Sequence, residues 1–554
     1  MRIPTIAVLT GPQPVDGDGL LRADLAAIGA TVIEADGPAA AARAVASASA
    51  AGRVALVDRR LVAHQHALRL AIEDPRWQAA HSIGVLTVSG SARELLATQL
   101  RTLPDLTGHR VEGGGPAARL TAPRPLVPDA LAAQLADSLS LHEVTLPDGL
   151  VATLVDAPLT ARKEAYSRVA EIDGETIRLR RAVKNDDGLF TTLFVSSYSR
   201  YLARWCAGRG LSPNTVTVLS LLIAVAGAFT ATTGTRAGYV GAAVALYLSF
   251  VLDCTDGQLA RYSLNFTRIG SWLDATFDRV KEYAVYVGVA FGSARNGDDV
   301  WLLAALAMAL QTVRHHIDFA YHEGNQGQPS QSATAAAPEK NLAYWARKTV
   351  ILPIGERWAL IALLTALTTP RTTFTVLLIW GVLAAAYTTA GRVQRSLNQS
   401  APRTEQAVMA LYAMSDILAR PKAEQRRLSS ELGWLVPPVY HAFEYAIAIS
   451  LASQVHGALP LVFAYLAAVI YHHYDVVYRI RASVAVPRGM TFVGLGTEGR
   501  IAVLVIAILI PATPSHHVLI PVLLVLIVAL WSAFLVESIQ FWLYPSATAQ
   551  LPAD

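Results

Sequence analysis

Four carboxylates, Asp253, Asp256, Asp274 and Asp278, stand within one short stretch, LDCTDGQLARYSLNFTRIGSWLDATFDRVKEY, bounded by apolar sequence. An ionised group at the end of a membrane helix is costly unless it is paired or metal-bound, so such residues read as functional. A helix advances about 100° per residue, which places Asp253, Asp256, Gly257, Ala260 and Arg261 inside an arc of about 140°, and Gly270, Asp274 and Asp278 inside about 80°. Each helix therefore shows two carboxylates on one face. Two such faces, opposed, make an oxygen-rich cage suited to Mg2+ or Mn2+ that still has room for substrate phosphates. Metal-assisted phosphoryl transfer is the chemistry this favours. Gly257 and Ala260 leave the face free of bulk for a nucleotide, and Arg261 is placed to neutralise a pyrophosphate oxygen.

These helices must sit in a membrane. The chain has 554 residues, 53% hydrophobic and only 16% charged, against about 25% charged in ordinary soluble domains. A formal net charge of +4 is too small and scattered for a nucleic-acid binder and fits anionic membrane surfaces and phosphorylated substrates. The two cysteines, Cys206 and Cys254, supply neither a disulfide framework nor a zinc site. Ten apolar segments are predicted near 214–234, 237–262, 268–293, 299–323, 350–370, 372–396, 437–456, 459–481, 490–511 and 515–544, bracketing the roughly 20 residues a span needs. The opening residues lack the pattern of a cleaved leader. With the N-terminus in the cytoplasm, Arg347, Lys348, Arg392, Arg395, Arg426, Arg427, Arg479 and Arg481 fall inside, against Arg236, Arg295 and Arg371 outside, as the positive-inside rule requires. A multi-pass cell-membrane protein with a cytoplasmic active site is the expectation.

Ahead of the spans, residues 1–152 alternate apolar runs such as 5–9, 30–33 and 54–57 with helical stretches, the pattern of a small cytoplasmic α/β domain. Its first Gly/Pro turn, Gly11-Pro12-Gln13-Pro14, has neither a P-loop nor a G-x-G-x-x-G pattern. A regulatory or structural role is the default. Residues 153–210 mix Arg178, Arg180, Arg181, Lys184, Arg200, Arg204 and Arg209 with aromatic side chains, as an interfacial linker would.

The run Asp253-x2-Asp256-Gly257-x2-Ala260-Arg261-x8-Gly270-x3-Asp274-x3-Asp278 resembles the signature of the CDP-alcohol phosphotransferases (CDP-alcohol phosphatidyltransferases) at every fixed position. The resemblance spans roughly residues 180–400 and implies a six-span core, placed here at 211–400. It implies that a CDP-linked alcohol donates its phospho-alcohol group to a second hydroxyl with release of CMP. It further implies that all four aspartates hold a pair of divalent ions, and that Asp278 is also the general base. Independently, a carboxylate one turn beyond a metal site can accept the proton of an attacking hydroxyl. Pro213, Asn214 and Thr217 resemble the family's Pro-Asn-x-x-Thr entry to span one, expected near the cytidine; by themselves they are a helix start.

Arg314, Arg357 and Arg392 are candidates for an acceptor-phosphate pocket, with ordinary inside arginines as the equal alternative. His315, His316 and Asp318 suit structural roles better than metal ligation, because adjacent helical histidines point about 100° apart. In the second half, Trp434-Leu435 and Glu444-Tyr445-Ala446 echo Trp272-Leu273 and Glu282-Tyr283-Ala284, and Glu498-Gly499-Arg500 echoes Gly355-Glu356-Arg357. In that register Asp274 and Asp278 become Val436 and Tyr440. Residues 436–545 are therefore predicted to be a degenerate repeat without a carboxylate cage, after a cytoplasmic segment at 401–435. The protein is expected as a homodimer or an internal pseudo-dimer. The leading expectation is a phospholipid-synthesising transferase using CDP-diacylglycerol and a polar or phosphorylated alcohol. A transferase joining CDP-inositol to an inositol phosphate is the second, in which the N-terminal region is at most a degenerate nucleotidyltransferase. A transporter is the non-enzyme alternative, disfavoured because the carboxylates cluster at one membrane face and in one half.

Overall fold

Strand β1 (Thr5–Thr10) lies between β2 (Ala30–Glu34) and β3 (Arg53–Asp58), parallel to both. The crossovers are helices α1 (Gly19–Ala27) and α2 (Pro38–Ser47). All of β3 is buried, and its side chains alternate: Val54 and Leu56 enter one hydrophobic core, Ala55 and Val57 another. A strand covered on both faces is continuously apolar, which is why this region was readable from sequence. The chain continues through β4 (Leu61–Ala63), α3 (Gln65–Glu73), β5 (Ala79–Ser82), β6 (Val85–Ser89), α4 (Ala92–Thr102), α5 (Val127–Leu135), β7 (His142–Glu143) and β8 (Val151–Thr153). The main sheet has the order β2-β1-β3-β6-β5-β7, and β4 pairs separately with β8. Helices α6 (Leu159–Ala170) and α7 (Gly174–Ala182) follow.

This computed structural model describes residues 4–103, 126–146, 151–153, 159–326, 341–398, 402–510 and 518–543, except 15, 36, 50, 51, 137, 185, 186, 420, 483 and 485. Residue 511 of the ninth expected span and residues 515–517 and 544 of the tenth lie outside the described residues. Two compact units emerge, one of residues 1–182 with 260–266, the other of 183–259 with 267–554. The break falls after Ala182 rather than at 152, so Arg178, Arg180 and Arg181 group with the N-terminal unit instead of a separate linker.

The second unit is helical. A π-helical turn at Thr191–Val195 leads into α8 (Ser196–Gly208), and Leu193, Phe194, Tyr201 and Trp205 are exposed along it. That apolar stripe beside Arg200 and Arg204 is the composition of a helix lying at a bilayer surface. Next come α9 (Pro213–Ala231), α10 (Arg236–Ser263), α11 (Arg268–Arg295), α12 (Trp301–Gly324), α13 (Leu342–Ile351), α14 (Ile354–Leu367) and α15 (Pro370–Leu397). The remainder is α16 (Glu405–Met414), α17 (Pro421–Leu428), α18 (Val436–Ala452), α19 (Ala458–Arg481), α20 (Arg488–Val493), α21 (Gly496–Leu509) and α22 (Leu519–Leu543).

By length and composition, seven stretches among the described residues can cross a membrane: α9, α10, α15, α19, α22, Gly433–Ser453 and Gly489–Leu509. The pair α13 and α14, bent by 68°, makes an eighth if it crosses as one. The expected ten thus becomes seven or eight on this measure. The other two predicted segments are α11 and α12, with 28 and 24 residues. They are long enough, but they carry the charge of the site and its supports, which lowers their apolar character.

Two packing devices fix this unit. Helices α9 and α11 meet backbone to backbone: a Cβ on Gly288 would lie 2.2 Å from the Ala228 carbonyl oxygen, and one on Gly292 2.2 Å from that of Ala231. Small residues allow such approaches where lipid gives no hydrophobic drive. The second device is a pair of matching buried ion pairs. Glu282 accepts from Arg357 Nε at 3.0 Å and Nη2 at 2.9 Å, and Glu444 accepts from Arg500 Nε at 2.6 Å and Nη2 at 3.0 Å. Each arginine is the fifth residue after a leucine of positive φ, Leu352 (55°) and Leu495 (64°).

Gly292→Ala should lower the thermal unfolding midpoint of the detergent-purified protein, because the opposing atoms are backbone and cannot yield; the expected cost is about 1–3 kcal/mol. Gly391→Ala, on α15 with open space around it, should cost nothing measurable in the same melt.

Candidate active site

The end of α10 and the start of α11 carry the four aspartates, and the local sequence sets both. Thr267 caps α11 by accepting from the Gly270 amide at 2.9 Å, and Ser212 caps α9 by accepting from the Thr215 amide at 3.1 Å, with Pro213 in the first turn. Oxygen atoms of Asp253, Asp256 and Asp274 come within 4.8 Å of one another. Asp256 is 3% exposed and accepts a 2.6 Å hydrogen bond from Thr217 Oγ1. Gly270 faces Asn214, whose Oδ1 would be 2.7 Å from any Cβ there. The start of α9 and the carboxylates therefore share one site. Gly257 is half-buried on α10. Ala260 and Arg261 group with the N-terminal unit, where Arg261 Nε donates to the Ala182 carbonyl at 2.6 Å.

Sequence reasoning missed Lys281. This side chain is fully buried, and its ammonium donates to Asp253, pairs with Asp278 at 3.3 Å, and donates to Ser220 Oγ at 3.1 Å. Ser220 in turn donates to the Ser249 carbonyl at 2.8 Å. Lys281 lies one helical turn past Asp278, and a lysine inside an apolar helix is itself a signal of a partner nearby. It holds the fourth carboxylate against the first.

Hard oxygen donors converging from two helices are the right chemistry for a divalent ion of the Mg2+ or Mn2+ class. One further observation fits: Asp278 Oδ1 is buried and has no hydrogen-bond donor, only ion-pair neighbours. The residues present suit such an ion.

Each of the three arginines considered for an acceptor phosphate already has a partner in the protein. Arg357 is 3% exposed and committed to Glu282; Trp358 Nε1 also donates to that carboxylate at 3.2 Å. Arg314 donates to the Ile351 carbonyl at 2.6 Å, and Arg392 pairs with Asp318 at 2.7 Å. His315 bonds Tyr474 at 2.6 Å. His316, His441 and His473 form a second cluster, with ring nitrogens within 4.8 Å of one another. It is a poor chelate. His441 and His473 stack at 3.7 Å with their planes 12° apart, so their in-plane lone pairs cannot converge on one ion, and His316 Nδ1 is hydrogen-bonded to His441 Nδ1 at 2.8 Å. These rings are a polar seam between α12 and the second half.

Residues 211–387 match the family CDP-alcohol phosphatidyltransferase, and residues 358–552 match a family of unknown function, DUF5941. A phosphatidylinositol phosphate synthase of Streptomyces avermitilis is 32% identical over 121 residues, 22% of this chain and 47% of the relative. One from Mycobacterium tuberculosis is 38% identical over 112 residues, 20% of this chain and 50% of the relative. A bifunctional IPC transferase and DIPP synthase of Thermococcus kodakarensis is 27% identical over 177 residues, 31% of this chain and 36% of the relative. The chain spans about half or less of the length of these curated relatives. The family match thus falls on the segment of the membrane unit that holds the carboxylates.

Removing the buried ammonium exposes the repulsion it holds. Lys281→Met should destabilise the protein in EDTA by about 3–5 kcal/mol, and millimolar Mg2+ should restore more of the melting temperature in this variant than in wild type. Equal Mg2+ responses in the two proteins would count against this role for Lys281.

Proposed function

We propose that the membrane unit is a divalent-metal-dependent CDP-alcohol phosphotransferase, working at the cytoplasmic face of the cell membrane in phospholipid synthesis. CDP-diacylglycerol is the proposed donor and a phosphorylated inositol or glycerol the acceptor. The observation that carries this reading is the convergence of Asp253, Asp256 and Asp274, with Asp278 tied to Asp253 through Lys281, inside the segment that matches the family.

Asp253, Asp256, Asp274 and Asp278 would hold two Mg2+ or Mn2+ ions, which when bound polarise the donor pyrophosphate and offset its charge. Thr217 fixes the rotamer of Asp256 through its hydrogen bond. Asn214, Gly257 and Gly270 are proposed to accept the cytidine end. Asp278 accepts the proton as the acceptor oxygen forms its bond to the phosphorus bearing the donor alcohol. The bond from that phosphorus to the bridging oxygen breaks, and CMP leaves with the electron pair. Lys281 keeps Asp278 oriented during this step. Arg314 and Arg392 remain candidates for acceptor phosphate recognition, whereas the ion pair of Arg357 supports a structural role.

A second reading, transfer from CDP-inositol to an inositol phosphate, is favoured by the likeness to the Thermococcus kodakarensis protein. Against an active N-terminal partner for it, the first Gly/Pro turn has neither a P-loop nor a G-x-G-x-x-G pattern, and a Cβ on Gly11 would lie 2.9 Å from Asp58 Oδ2, an oxygen already bound by Arg60. The matched ion pairs Glu282–Arg357 and Glu444–Arg500, each behind a positive-φ leucine, support reading the second half as a degenerate repeat. Helices α18 and α19 of that half pack on α12, which supports an internal pseudo-dimer over a homodimer through the same helices.

Purified protein given Mg2+, CDP-diacylglycerol or CDP-inositol, and a panel of alcohols should release CMP, and Asp278→Asn should reduce kcat by about 10²–10⁴. Release from neither donor by folded protein overturns the proposal; the preferred donor separates the two readings. Mass photometry in detergent should find one chain per particle. A dimer cross-linking through α12 would sink the pseudo-dimer.

A further inference from the structure

The N-terminal unit contains a cavity of about 250 Å³ whose wall includes Arg76, Arg178, Arg181 and Arg261, with Asp74 the one carboxylate among its lining residues. We propose that this cavity, lined by residues of the N-terminal unit and by none of the cage aspartates, binds a phosphate ester; the proposal stands independently of the transferase reading.

The arginines are held in place rather than trailing in solvent. Arg76 makes a two-pronged bond to Asp74 at 2.7 and 3.0 Å and lies 4.3 Å from the Phe266 ring centre. Arg178 lies 4.1 Å from the Tyr262 ring centre and donates to the Tyr262 carbonyl at 3.3 Å. Arg181 donates to the Thr145 carbonyl at 3.1 Å. Bonds to backbone carbonyls orient a guanidinium without cancelling its charge, and an oriented fork is what recognises a phosphate.

A second observation points into the same space. His66 is 7% exposed, lines the cavity, and has no hydrogen-bond partner at either ring nitrogen; Arg178 Nε is likewise buried without an acceptor. Buried polar atoms without partners are uncommon, and here they are donors or amphoteric groups, as an anion's oxygens require. The field is positive: burial, then Arg178, Arg181 and Arg69, hold the His66 imidazole down at about 3. Burial and neighbouring arginines likewise lower Arg178 and Arg181. Other charges close to the wall are Glu73, Glu175 and His142, with Glu175 3.5 Å from Arg178. The volume is below the roughly 300 Å³ of typical small-molecule pockets, which selects a phosphate on a short polar group over a whole nucleotide. Such a phosphate comes either from a soluble ester or from a lipid headgroup.

Full-length protein in EDTA, in nanodiscs of phosphatidylcholine alone or with phosphatidic acid, would be titrated with inorganic phosphate and inositol 1-phosphate by calorimetry. Saturable binding that survives Asp253→Asn/Asp256→Asn but weakens at least about tenfold in Arg181→Gln, and further in Arg178→Gln/Arg181→Gln, is the expected result. Arg181 is exposed at the mouth, so its variant should fold, as circular dichroism would verify. If phosphatidic acid competes away the soluble ester in wild type, the headgroup is the natural source; if not, the soluble ester is. Binding unchanged in both arginine variants, absent from wild type in both kinds of nanodisc, or lost with the aspartates, overturns the proposal.

Discussion

The membrane unit is organised around a repulsion. Four carboxylates gathered at the ends of α10 and α11 oppose one another in a medium of low dielectric, where each charge is felt far more strongly than in water. One buried ammonium, that of Lys281, bridges two of them, and its own position is set by Ser220 and through it by Ser249. The close contact of α9 with α11 through Gly288 and Gly292 keeps those anchors in register. Helix packing, hydroxyl ladder and lysine serve one end, which is to hold together groups that would otherwise separate.

That donor set was legible because both carboxylate pairs fall on helices, where spacing along the chain translates into position on a face. Thr217 and Asn214 were found through a resemblance, and the hydrogen bond to Asp256 gives the threonine its physical reason. Lys281 was not found, because counting positive charge along a span says nothing about which carboxylate each cation meets. The same limit holds for Arg357: the sequence leaves a phosphate ligand and an ordinary inside arginine as equal alternatives, and its pairing with Glu282 depends on a contact distant in sequence. The strands of the N-terminal unit were visible as apolar runs, but its extent to Ala182 was not, since α6 and α7 are polar helices whose allegiance depends on contacts distant in sequence. The span count suffered for a related reason: α11 and α12 turn their charges inward, so composition underrates them.

In the repeat proposed above, the second half keeps a supporting ion pair and lacks the carboxylates. Glu444 and Arg500 reproduce the support that Glu282 and Arg357 give the first half, while Val436 and Tyr440 stand at the register of Asp274 and Asp278. Around Asp416 and the stacked histidines this half is densely polar, and Asp416 pairs with Arg500 at 2.9 Å. Architecture and reactivity are thus separable: the buried Glu444–Arg500 pair locks its helices without a carboxylate cage beside it among the described residues.

The Glu282–Arg357 pair also constrains how the protein is made. The carboxylate on α11 leaves the ribosome well before the guanidinium on α14 that neutralises it, with α12 and α13 emerging between them. Until then Glu282 is a bare charge facing hydrocarbon, and the second half poses the same difficulty with Glu444 and Arg500. Insertion helix by helix would leave each acid exposed in turn. The cost is least when α11 and α14 enter the bilayer together, so that acid and base are buried in one event.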